Sequence, residues 1–190
     1  MPDGLQIATF IHIAGVFAAA GTSTTFILVL SMMRRARTVQ DVRTFSTLGG
    51  LAEHAFPFAT LVLLISGGYM VDKFGASWSD GWVNVSAVAL VLMAVAALKI
   101  NTLKMNEIHF AAEEAPDGPI PQALALKLAD PVLFAVTHAI TTVMLGVIWN
   151  MTTKPGDAEA GIVIVVAALV GAGSAAPMFR RRRELIEAGA

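Results

Sequence analysis

The chain has 190 residues, 56% of them hydrophobic, and its 13 Lys and Arg nearly balance 14 Asp and Glu. Its apolar residues come in long unbroken runs rather than amphipathic stripes, which excludes an ordinary soluble domain, predicts an integral membrane protein and leaves no expectation of nucleic-acid binding. Cysteine is absent, which excludes disulfides, c-type haem attachment, thiolate-held iron–sulfur clusters and Cys zinc sites; histidine, methionine and carboxylate remain as metal ligands.

Five apolar segments, at about 5–33, 51–71, 82–100, 131–150 and 161–179, are each long enough to cross a bilayer as a helix. The expected fold class is all-α: one transmembrane bundle of five helices, without an internal repeat. The start, Met1 to Gly4, lacks the basic region of a signal peptide, so the first segment reads as a retained span. After it come Arg34, Arg35, Arg37 and Arg43, and after the fifth span Arg180 to Arg183. The positive-inside rule makes both regions cytoplasmic, with the N-terminus outside; eleven Lys and Arg then lie inside and two, Lys73 and Lys154, outside. The expected location is a bacterial inner membrane.

The second span carries Glu53, His54 and Pro57 in its first two turns. Ionisable groups within a span are costly and default to functional candidates. Glu53 reads either as a proton donor to a site or as a partner for Arg43, and Pro57 removes a backbone hydrogen bond beside it. The third span starts behind Ser79 or Asp80 as a cap and is expected to continue through Asn101 to Glu114, where APDGPIP ends it. Residues 121–129 read as a short amphipathic helix, and Asp130-Pro131 as the cap and first position of the fourth span. Gly171, Gly173 and Ser174 form a small-residue face for close packing on the fifth. Trp78, Trp82, Trp149 and Tyr69 all fall at the expected outer boundary, where amphipathic rings prefer to sit.

His54 and His138 each lie eleven residues from a basic anchor, Arg43 and Lys127. That is roughly 16 Å at helical rise, so the two share a level in the inner half of the membrane. A planar macrocycle with two axial imidazoles needs such a pair, and haem b is the expected cofactor, with Thr141 and Glu53 nearby to tune it. Hydrogen bonding between helices and a proton or ion path are the other readings of the pair. His12 stands about 33 Å from Arg34, in the outer half, where it is expected to line a second site for a quinone or a second cofactor. His109 reads as a solvated surface histidine. Scattered methionines without Met-x-x-Met or His-rich tracts argue against copper transport.

FIHIAGVFAAAG, with His12, Gly15 and Gly21, and LVLLISGGYMV followed by GWVNVSAVALVLM, with Gly67 and Trp82, resemble the first three helices of a loose bacterial superfamily. It includes the HemJ-type membrane protoporphyrinogen oxidase and the copper-resistance membrane protein CopD. The resemblance spans about residues 5–100 and implies a small bundle in which some members bind haem b and some use an intramembrane histidine with a later lysine. His12 matches that histidine and Lys99 is the match for the lysine.

The sequence therefore leads to a small haem b redox protein ligated by His54 and His138, with a redox partner or membrane complex and a possible homo-oligomer. A cofactor-free membrane subunit or small transporter, and a porphyrin-oxidising enzyme, are the rival expectations.

Overall fold

A computed structural model describes residues 2–188. It is helical: α1 (Gly4–Arg35), α2 (Val39–Met70), α3 (Gly81–Ala96), α4 (Thr102–Glu114), α5 (Gln122–Leu128), α6 (Pro131–Thr153), α7 (Asp157–Gly173) and α8 (Ala176–Glu187). A single π-type turn, Ala97–Asn101, joins α3 to α4, so five long apolar helices cross the molecule.

The ends of these helices follow from their capping residues. In α1, Asp3 and Gln6 form a reciprocal capping box. In α2, Thr38 and Asp41 form another. The second helix thus starts twelve residues before the expected 51. Residues 39–50, ahead of the expected span, are helical because a capping box nucleates the helix there and Arg43 ties it down. The Arg43 guanidinium bonds the carbonyls of Ala112 (2.9 Å) and Ala115 (2.7 Å) and pairs with Asp117 (2.7 Å). Arg43 therefore caps the C-terminus of α4 and does not reach Glu53.

The Asp130-Pro131 reading holds: the Asp130 carboxylate accepts from the backbone of Val132 at 2.8 Å. Asp80 stands at the N-cap of α3 without a side-chain bond to it; the Gly81 amide donates instead to Asp157 at 2.9 Å, joining the starts of α3 and α7. The fifth segment breaks at Ser174–Ala175, and α8 starts behind the break with Pro177 in its first turn.

Two antiparallel hairpins, α1–α2 and α6–α7, form the frame, and α3 packs against α2, α6 and α7. α6 packs chiefly on α1, α3 and α7. α4 continues the line of α3 and packs against α2, while α5 and α8 close the same end. That end is basic: Asp130 holds Lys104 (3.1 Å) and Arg182 (3.8 Å), and Lys127 pairs with Glu107 (3.6 Å). Tyr69, Trp78 and Trp149 lie exposed near the opposite end. One core cluster centres on Leu30, Met33, Met105 and Leu133 and another on Ala19, Leu63, Leu90 and Met144. Phe17, Leu61, Leu92, Leu145 and Leu169 point outward, as a lipid-facing surface requires.

Candidate functional site

Three of the four histidines share one chemical arrangement. His12 Nδ1 lies 3.0 Å from Ser66 Oγ, whose hydroxyl donates to the Val62 carbonyl (2.5 Å). His109 Nδ1 lies 3.0 Å from Ser46 Oγ, which donates to Arg43 (3.0 Å). His138 Nδ1 lies 2.6 Å from Ser174 Oγ, which donates to Gly171 (2.6 Å). Each hydroxyl proton is spent on a helix carbonyl, so each serine accepts and each Nδ1 must donate. His54 Nδ1 donates directly to the Gly50 carbonyl at 2.7 Å. In all four, this network assigns the lone pair to Nε2, the atom that would accept a proton or ligate a metal.

Their surroundings differ. His54 is exposed on the outside of α2 and bonds only its own helix, while His138 turns toward the α7–α8 break. The structure does not bring the two together, although their matched depth had paired them. His109 is half-buried and links α4 to α2, in place of the solvated role expected of it. Thr141 donates to the Thr137 carbonyl within α6 (3.1 Å), whereas Thr142 crosses to Ala167 of α7 (2.7 Å).

His12 alone of the four lines a sizeable cavity. About 280 Å³ opens at the tryptophan end between α1, α2 and α3, walled by Leu63, Phe74, Trp78, Trp82 and Met151. Gly67 makes room for the imidazole: a Cβ there would stand 3.1 Å from His12 Cε1. Lys154 also lines the cavity, its ammonium 5.5 Å from the Trp82 ring. Sequence reasoning treated Lys154 only as a loop charge and matched Lys99 to the resemblance's lysine. Lys99 is exposed within the π turn, on the α3–α4 helix away from the cavity. The signal for Lys154 was its place just past the fourth span, at the end where His12 starts the first.

A second polar place lies inside the bundle toward the basic end. Glu53 is 5% exposed and neither carboxyl oxygen has a hydrogen-bond partner. A small cavity of about 20 Å³ separates it from Thr22 and Ser23 of α1, Asn101 of the π turn and Thr137 of α6. Thr137 donates to Asn101 Oδ1 at 3.3 Å. No group of three or more His, Asp or Glu suited to a metal ion occurs among the described residues.

No curated protein and no solved structure matches the chain. The profile of the predicted integral membrane protein family DUF2269 matches residues 6–155, and the chain belongs to that family.

Proposed function

We propose that the chain is a small membrane redox protein that takes the head group of a lipid-soluble quinone in the cavity at its tryptophan end. The observation that carries this reading is His12: an imidazole at a largely apolar, aromatic-walled cavity, with Ser66 holding Nδ1 and Nε2 left as acceptor. A cavity of about 280 Å³ is at the small edge of ligand pockets, which favours a one- or two-ring head group over a macrocycle. A quinol hydroxyl would donate to His12 Nε2, and the Lys154 ammonium supplies a donor for a quinone carbonyl. Oxidation of the quinol to the quinone releases two protons and two electrons: one proton would pass to His12 Nε2, the other to water at the open mouth of the cavity, and both electrons to a redox partner.

Haem b is the second reading. Two imidazoles at one level favoured it, but with His54 exposed and His138 turned to Ser174 the residues present do not fit a bis-histidine macrocycle inside one chain. His12 remains a free axial donor, and it is also the residue that matches the porphyrin-oxidising resemblance.

The test uses protein in nanodiscs, titrated with a short-chain quinone while the fluorescence of Trp78 and Trp82 is followed. Saturable quenching is expected, weakened about tenfold in His12→Ala by the loss of roughly 1.4 kcal/mol of hydrogen bonding. Absent quenching, or equal affinity in the variant, overturns the quinone site. A dithionite-reduced spectrum with sharp b-type bands that vanish in His12→Ala would install haem in its place.

A further inference from the structure

We propose that Glu53 is an intramembrane acid: its carboxyl holds a proton within the bundle and exchanges it with the basic end of the molecule by way of the small polar cavity beside it. The inference does not depend on the quinone reading, since the two sites lie fourteen residues apart along α2, roughly 21 Å at helical rise.

The groups around Glu53 suit a neutral acid better than a carboxylate. Thr22 donates to the Ala18 carbonyl (2.8 Å) and Ser23 to Ala20 (3.1 Å), so both hydroxyls offer only lone pairs to the cavity. Thr137 spends its proton on Asn101 Oδ1, and Thr102 gives its own to the Ala97 carbonyl at 3.2 Å. The donors left are the Asn101 amide and the Thr102 hydroxyl, which is shared between the Ala97 carbonyl and the Glu53 carboxyl. Acceptors therefore outnumber donors around a carboxyl with no cation against it, and an ionised carboxylate buried in this way is costly unless paired. Among the residues lining the cavity Glu53 is the one titratable group; α1 brings Thr22, Ser23 and Phe26, α6 brings Thr137 and Ile140, and the π turn brings Ala97 and Asn101. His54, its chain neighbour, faces outward.

Two backbone irregularities meet here. Pro57 stands four residues after Glu53, so the Glu53 carbonyl lacks its helical donor and is a further acceptor beside the carboxyl. The π turn Ala97–Asn101 ends on Asn101, and such turns gather at functional sites. The cavity of about 20 Å³ has room for one water with several polar partners. Toward the basic end the next ionisable pair is Lys104–Asp130, one turn beyond Asn101 on α4 and two turns before Thr137 on α6. A proton leaving Glu53 passes through this cavity and then toward that pair, the carboxyl being restored from the same side.

The experiment is infrared spectroscopy of the full chain in lipid, titrated in pH with sodium or potassium as the only salt. The wild type should show the carbonyl band of a protonated carboxylic acid near neutral pH. The band should disappear as pH is raised and return when it is lowered. It should shift on ¹³C-glutamate labelling, be missing in Glu53→Gln and move in frequency in Asn101→Leu, which removes the amide donor. Should Glu53→Gln fail to fold, the isotope shift and Asn101→Leu still decide the assignment. Absence at neutral pH of a band that Glu53→Gln would remove shows an ionised carboxylate and overturns the proposal. So does a band indifferent to bulk pH, which means a locked proton, or one displaced by sodium at constant pH, which means a metal-cation site.

Discussion

At the scale of single residues, the chain shows how a buried polar group earns a different role from each neighbour it meets. His12, His109 and His138 use the same imidazole–serine–carbonyl chain to link two helical segments, but only at His12 does a cavity of useful size lie beside the ring. Asp130 is the counterpart among acids: 8% exposed, it caps α6 and binds Lys104 and Arg182. Removing it strips one cap and leaves two cations without their shared partner. Asp130→Ala is therefore expected to cost about 2–4 kcal/mol, read as a lower thermal midpoint in detergent, while Asp117→Ala, at an exposed pair with Arg43, should change it little. Equal effects would remove Asp130 from its place as the clasp of the basic end.

At the scale of elements, the interface of α6 and α7 depends on one glycine. A Cβ at Gly171 would stand 2.6 Å from both Ala139 Cα and the His138 carbonyl oxygen, with the Thr142 hydroxyl closer still. Backbone cannot yield as a flexible side chain can, so Gly171→Ala must push the helices apart and loosen the Thr142–Ala167 bond. At Gly173 a Cβ meets nothing within 4 Å. Gly171→Ala is expected to destabilise by roughly 1–3 kcal/mol and Gly173→Ala to be neutral, measured by unfolding in mixed micelles. The sequence marked both glycines as one small-residue face; one faces the partner helix and the other does not. Composition cannot separate them, because rotation about the helix axis is what differs. The π turn was likewise hidden: Ala97–Asn101 carries no proline or glycine, and it ends on Asn101, which lines the small cavity with Glu53.

At the scale of the whole molecule, basic residues gather at one end and tryptophans at the other. The positive-inside rule places the basic end in the cytoplasm. Since the chain has no cysteine, single introduced thiols report this directly. Asp3→Cys and Gly156→Cys should react with an impermeant maleimide applied outside intact cells, whereas Asp117→Cys and Glu187→Cys should react only after permeabilisation. The reverse pattern would invert the bundle and put the His12 cavity on the cytoplasmic side.

The helical class, the five crossings, the Asp130 cap and the continuation to Glu114 were all legible in the sequence, because run length, proline and capping residues act locally along the chain. What tertiary structure alone decided was direction: His54 outward and His138 onto Ser174, Glu53 inward and away from Arg43, Lys154 beside His12. Where a span is apolar on nearly every face, its pattern does not choose which side meets the neighbour. The choice falls to close packing at residues such as Gly67 and Gly171, and to hydrogen bonds that exist only once the helices have met.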